Sequence, residues 1–442
     1  MRSQLPQRRP SLRRGEPLMA KYVIIGGSAG GIGAVEAIRE VDPVGTLTVI
    51  SEETVPQYSR PMISEYVSRE ATLDTMKYRG DQFWKNNNVQ TLTGRTATKI
   101  DFIRKQVELD GGDKIDYEKL LIATGGRPFV PRMEGGEKDG LFTFTELSSA
   151  KDIEAKLEHA NSAVVIGGGL IGVSVSEALV KRGIKVTLVE LKEYILNLIL
   201  DKTASEIAEK MLTEAGVTVI TGQTVQRILG KKDNENNVGG VVMTDGKEIH
   251  CDLVVVAIGV IPRTELVKET DMKLNRGIVV DRFMRTNIPE VYACGDVAEA
   301  HDFLINGNRL LPLWPLAHLG ERIAGYNMAG KQVEYKGGTV MSSLRYFDLP
   351  IIAVGDVNPE DISDHEVLVE LKPEKTVYKK ILLKDGAIVG FIFLGDLERA
   401  GIFFRLLKNH VDVSEIKGEL LSEDFGIVTL PEQLRQEMFV VN

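Results

Sequence analysis

Apolar residues are arranged along the chain in a pattern that occurs twice. Residues 21–52 read KYVIIGGSAGGIGAVEAIREVDPVGTLTVISE, and residues 162–190 read SAVVIGGGLIGVSVSEALVKRGIKVTLVE. Each copy opens on a short β-branched run, breaks at a glycine turn, and continues with apolar residues at three- and four-residue spacing. It then closes with a second apolar run that ends at an acid. The short runs predict strands buried on both faces, and the longer spacing predicts an amphipathic helix. Together they make a βαβ unit of about 30 residues, enough for a parallel crossover. Further along, KLLIATGGRPFVP (119–131) is echoed by DLVVVAIGVIPRTE (252–265), each an apolar strand running into glycine and then proline. A fixed pattern written twice predicts two similar nucleotide domains in one chain.

After residue 330 the period changes. TVMSSLRYFDLPIIAVGD and VYKKILLKDGAIVGFIFLGD alternate apolar and polar positions around turn signals, and ERAGIFFRLLKNHVDVSEI follows with helical spacing. That predicts an α+β domain with an antiparallel sheet, and without a low-complexity linker it should pack tightly on what precedes it. TDGKEI (244–249) predicts a hairpin late in the second copy. The expected class is therefore α/β, with two Rossmann-like three-layer domains and a C-terminal α+β domain.

Composition narrows the function. A net charge of -9 argues against a nucleic-acid surface, and no run of apolar residues is long enough to span a membrane. The first 18 residues are basic with two Arg-Arg pairs, but the next apolar run is already the first strand. They are expected to form a disordered tail, or to precede a true start at Met19, rather than an export signal. Cys251 and Cys294 are the only cysteines, and no CxxC exists. Neither an iron–sulfur cluster nor a redox dithiol can be built from local spacing, both cysteines are expected to be small buried residues, and a cytoplasmic location is expected.

The second glycine turn carries the cleaner chemistry. Gly167, Gly169 and Gly172 follow a strand and open a helix, giving a tight turn, room for a diphosphate, and close helix–strand packing. The helix N-terminus offers free N–H groups to phosphate. Glu190, closing the second strand, can accept from both ribose hydroxyls and disfavours a 2′-phosphate, so NAD is expected over NADP. Lys192 lies close enough to weaken that preference. In the first turn the register is Gly26, Ser28 and Gly31, with serine at the middle position, and Glu52 or Glu53 ends the second strand. YACGDV can aim the carboxylate of Asp296 at a polyol chain.

The order GGSAGG, IATGGRP, GGGLIG, AIGVIPR and YACGD resembles the pyridine-nucleotide–disulfide oxidoreductase superfamily, over roughly residues 19–442. The resemblance implies a discontinuous FAD domain (19–131 and 264–332), an NAD domain (132–263) and an interface domain (333–442). It implies FAD contacts from Gly26, Ser28, Gly31, Glu52, Thr124, Gly125, Arg127 and Asp296, and NAD contacts from Gly167, Gly169, Gly172, Glu190 and Gly259. The stretch QYSRPMISEYV, where relatives of the disulfide reductase type carry cysteine, has none. It is similar instead to the cysteine-free branch of rubredoxin reductases, nitrite reductase flavin modules and carbon monoxide dehydrogenase-associated reductases. In that branch Arg60 would hold charge that develops on the reduced flavin. Leu170 and Ser174 replace a family tyrosine and glutamate, and no gate or proton relay is carried over there. The helix 313–330 would point at the flavin pyrimidine with Trp314 nearby, and His318 is more often a structural residue than a catalytic one.

The implied activity is hydride transfer from NADH to FAD N5, then electron delivery to a small carrier such as rubredoxin, ferredoxin or another iron–sulfur protein. The alternatives are a peroxide-forming NADH oxidase and a low-turnover NADH-sensing flavoprotein. A homodimer through the C-terminal domain is a further expectation of the resemblance.

Overall fold

The structure, a computed structural model, describes residues 18–55, 57–428 and 430–439. Residues 1–17 of the basic tail lie outside the described residues. Leu18, counted with that tail above, instead begins the first strand and pairs with Ile115. The chain divides into two compact units.

Unit one comprises the described residues up to Ser59, with Leu73–Arg127 and Pro262–Gly338. Its strand Leu18–Ile25 lies between two parallel neighbours, Leu47–Ser51 and Lys114–Ile122. Gln90–Thr93 extends the sheet on one side, and Val291–Ala293 pairs in parallel with the end of Lys114–Ile122. Two antiparallel strands, Gln106–Leu109 and Ala97–Asp101, complete it. The central strands are apolar on both faces because both are covered, by the helices and by residues such as Val267, Ile278 and Val297, and Val23, Ile24, Leu120 and Leu121 are fully buried. The helix Ala29–Val41 packs on the helix Trp314–Met328.

Unit two comprises Arg60–Thr72, Pro128–Ile261 and the described residues from Thr339 onward. Its parallel sheet has Ser162–Ile166 between Lys185–Val189 and Leu253–Val256, flanked by Thr218–Ile220 and Leu141–Thr143. The hairpin read from TDGKEI joins Val238–Met243 to Glu248–His250, with Gly246 at positive φ. The sequence after residue 338 forms the expected antiparallel sheet of five strands, including a tight hairpin at Asp385–Gly386 where both residues take positive φ.

That sheet docks on the central parallel domain through polar contacts. Tyr378 donates to Asp201 at 2.6 Å, and Lys380 lies 3.0 Å from the same carboxylate. The helical stretch after Leu394 is shorter than its apolar spacing suggests. It spans only Ala400–Lys408, because His410 takes a positive φ and ends it. Phe403 is its anchor, meeting Phe393 edge-on at 5.0 Å and Phe425 at a tilt at 5.2 Å, and it is almost fully buried. Phe403→Ala should cost about 3–5 kcal/mol. We expect the denaturant midpoint of the C-terminal sheet to fall markedly, read by fluorescence and circular dichroism. An unchanged midpoint would mean that the helix adds nothing to the sheet.

Candidate functional site

The two copies of the sequence pattern build the same cradle in atomic detail. In unit two the strand Ser162–Ile166 ends at Gly167, whose φ of +109° turns the chain into the helix Leu170–Lys181. A Cβ on Gly167 would sit 2.6 Å from the Ala257 carbonyl oxygen, and one on Gly172 would collide with the Gly167 carbonyl. The third glycine thus lets the helix lie directly on the turn. Gly169 caps the helix in extended conformation, and a Cβ there would meet nothing within 4 Å. That is the open side a diphosphate needs, facing N–H groups the helix itself cannot satisfy.

Unit one repeats this geometry residue for residue. Gly26 has φ +124° with its Cβ position blocked by the Ala123 carbonyl, and Gly31 is pressed on the Gly26 carbonyl. Ala123 and Ala257 bond back to the first strand of their own copy at 2.8 Å. Ser28 occupies the cap of the helix Ala29–Val41 without a side-chain hydrogen bond to it, so it leaves the first-turn N–H groups for an anion.

The closing acids differ. Glu190 is buried, with Oε2 accepting from the Gly168 N–H at 2.6 Å and Oε1 from the Lys192 N–H at 2.7 Å. Each oxygen keeps a lone pair for a ribose hydroxyl. Lys192 thus contributes its backbone here, whereas the sequence draws attention to its charge. Gly259, with φ +113°, is open at its Cβ position, and its carbonyl accepts from Phe129 N–H. Glu52 is exposed and ion-paired with Arg263. Arg263, which the sequence does not single out, also organises the closing loop of unit one. Its N–H donates to Gly125 at 2.9 Å, and its carbonyl accepts from the Thr124 hydroxyl at 2.9 Å. Arg127 pairs with Glu265 at 2.8 Å. Asp296 sits in the turn Gly295–Val297, directly after the strand Val291–Ala293.

Arg60 begins a short helical segment in unit two and donates to the Thr145 carbonyl at 2.8 Å. The same segment is tied down at Val67, whose carbonyl accepts from Arg182 at 2.7 Å. At the positions where the family tyrosine and glutamate are replaced, Tyr346 intervenes. Its hydroxyl donates to the Leu170 carbonyl at 3.0 Å and lies 3.3 Å from Ser174 Oγ. No local sequence signal marks Tyr346, because it arrives from the C-terminal sheet.

Thiol chemistry finds no support. Cys251 and Cys294 are buried, burial pushes the Cys251 thiol up to about 12, and the Cys294 thiol is raised well above its usual range. His318 is held neutral, since burial lowers its pKa, and its ring meets Tyr78 edge-on at 5.9 Å. Among the described residues no cluster of potential ligands could hold a metal, and no helix is long and apolar enough to cross a membrane.

Residues 20–320 match the family described as pyridine nucleotide-disulphide oxidoreductase, and residues 341–411 match the rubredoxin NAD+ reductase C-terminal domain. Nitrite reductase [NAD(P)H] of Bacillus subtilis is 28% identical over 397 residues, 89% of this chain and 48% of that protein. The chain spans about half the length of the curated relatives it matches first. Among solved structures, an NAD-dependent persulfide reductase from A. fulgidus is 28% identical with a TM-score of 0.83, over 89% of this chain and 78% of that one. NADH:rubredoxin oxidoreductase from Clostridium acetobutylicum is 25% identical with a TM-score of 0.75, over 90% and 97% of the two chains.

If Glu190 holds a ribose, Glu190→Gln should weaken NADH binding about tenfold or more, since each charge-assisted hydrogen bond contributes about 1.5–3 kcal/mol. Calorimetric titration of NADH or NAD+ into the two proteins measures this. Equal affinity would remove Glu190 from the site.

Proposed function

The chain belongs to the pyridine nucleotide-disulphide oxidoreductase family, and on that footing we propose that it is an FAD-dependent NADH:acceptor oxidoreductase. Its electrons would pass to a small iron or iron–sulfur carrier of the rubredoxin or ferredoxin type. The observation that carries this reading is the duplicated glycine turn at two helix N-termini, in a chain whose only cysteines are buried with raised pKa values.

In this reading Gly26, Ser28, Gly31, Glu52, Thr124, Gly125, Arg127 and Asp296 hold FAD. Gly167, Gly169, Gly172, Glu190 and Gly259 hold NAD(H). The functional division is the one read from sequence, with the FAD domain formed by 19–131 and 264–332, the NAD domain by 132–263, and an interface domain by 333–442. The bound flavin supplies the chemistry, accepting a hydride and releasing electrons to a one-electron partner. The chain's own work is placement. Glycine turns seat the diphosphates, helix N-termini offset their charge, and the Glu190 carboxylate holds a ribose and disfavours a 2′-phosphate.

With no thiolate to relay electrons, the acceptor must approach the flavin itself. The match of residues 341–411 to a rubredoxin reductase domain supports a carrier of that class. Arg60 is assigned to stabilising negative charge on the reduced flavin, by resemblance to the cysteine-free branch. A homodimer through the C-terminal domain is supported by Val367, Val369 and Leu371, which alternate along one strand and are all exposed.

A stopped-flow screen of the NADH-reduced protein against rubredoxin, ferredoxin, quinone and oxygen tests the reading. Reoxidation by an iron–sulfur or rubredoxin carrier should exceed that by oxygen by orders of magnitude, with little peroxide formed. Fast peroxide formation and slow carrier reduction would identify an NADH oxidase instead. Equally slow reaction with every acceptor would leave only the sensing role.

A further inference from the structure

The strand Glu366–Lys372 ends the five-stranded C-terminal sheet on one side, and among the described residues it pairs with Val377–Lys384 alone. That pairing runs along the whole strand without a register shift, and the strand contains no proline. Its outer edge therefore presents backbone N–H and C=O groups that no described strand takes up. Edges of this kind are usually blunted by a bulge, a proline or a very short strand. None of these devices is present here.

Side chains alternate between the two faces. Val367, Val369 and Leu371 share one face and are 39%, 53% and 49% exposed. Val369 stands beside Lys380 and Leu371 beside Tyr378, the two residues that meet Asp201. The covered part of that face stops there, and the apolar stripe lies outside it. On the other face Glu366 pairs with Lys417 at 2.6 Å, and Lys372 pairs with Glu370 and Glu423 at 3.0 Å each.

The order of these side chains suits one occupant, a second copy of the same strand. In an antiparallel edge pairing, residues directly opposite each other point to the same face. A two-fold axis relating the two strands must then pass through a residue rather than between two. With Val369 on that axis, Val367 stands opposite the partner's Leu371 and Glu366 opposite the partner's Lys372, and symmetry makes each contact twice. Moving the axis to Leu368 sets Glu366 against the partner's Glu370. Moving it to Glu370 sets that acid against itself. Both moves shorten the pairing and oppose like charges, which is destabilising, and larger shifts leave only the strand ends paired.

We propose that Glu366–Lys372 pairs antiparallel with its counterpart in a second copy of this chain, about a two-fold axis through Val369, so that the two C-terminal sheets become one. The proposal rests on the reading of the C-terminal domain as a dimer interface and narrows it to one strand and one register. Backbone hydrogen bonds supply the pairing, the apolar stripes of the two copies join on one face, and the charge order fixes the register.

The test is sedimentation velocity of the full chain over a range of micromolar concentrations, with charge-reversal variants and cross-linking alongside. Wild type should be a reversible dimer. Glu366→Lys and Lys372→Glu each place like charges opposite one another and should weaken dimerisation about tenfold or more. Combining the two reversals should restore association close to wild type. The combined variant still lacks the ion pairs with Lys417 and Glu423, so a repair within one chain does not explain that recovery. Val369→Cys places two thiols together at the axis, where a short bis-maleimide should join the copies. Val367→Cys, displaced from the axis, should join them far less. Both native cysteines are buried. A monomer at every concentration overturns the proposal and the dimer reading together. A dimer that ignores the single reversals, is not recovered by the combined one, or fails to cross-link through Val369→Cys overturns the edge pairing and leaves a dimer held elsewhere.

Discussion

Both candidate cofactor sites depend on one contact that leaves no room for a methyl group. Gly31 rests on the Gly26 carbonyl and Gly172 on the Gly167 carbonyl, while Ala123 and Ala257 close the other side of each turn. A side chain at either third glycine would push the helix off the strand, and with it the N–H groups that face a bound diphosphate. The apolar sheets, the paired helices and the closing loops hold this contact in register. Because it occurs twice with equivalent partners, the duplication in sequence is a duplication of one local geometry.

How much of this was legible in the sequence depended on whether the signal was local. The geometry of the turn Gly167, Gly169, Gly172 and the place of Glu190 could be read from spacing, because all four lie within one βαβ unit. Ser28 made the first turn harder to read, yet the structure gives it the same cap position as Gly169. The hairpins at Gly246 and at Asp385–Gly386 were visible for the same local reason. The helix after Leu394 was overread, because apolar spacing continues beyond the point where His410 reverses the backbone.

Residues that act across long stretches of chain were not legible. Arg263 reaches Glu52 from 211 positions away, and Tyr346 meets Leu170 from 176. The thiols show the reverse. Their scarcity argued against disulfide chemistry, and the structure adds that both lie buried with their protons held. Under the proposed function the acceptor would therefore have to approach the flavin itself.

The central claim is that one chain seats two dinucleotides so that NADH reduces FAD within it. Anaerobic titration of the FAD-loaded protein with NADH, followed by flavin absorbance, tests that claim most directly. The account predicts stoichiometric bleaching of the flavin, with NADH consumed one for one until the bound flavin is reduced. A flavin spectrum that stays oxidised in excess NADH, with the cofactor demonstrably bound, would contradict it.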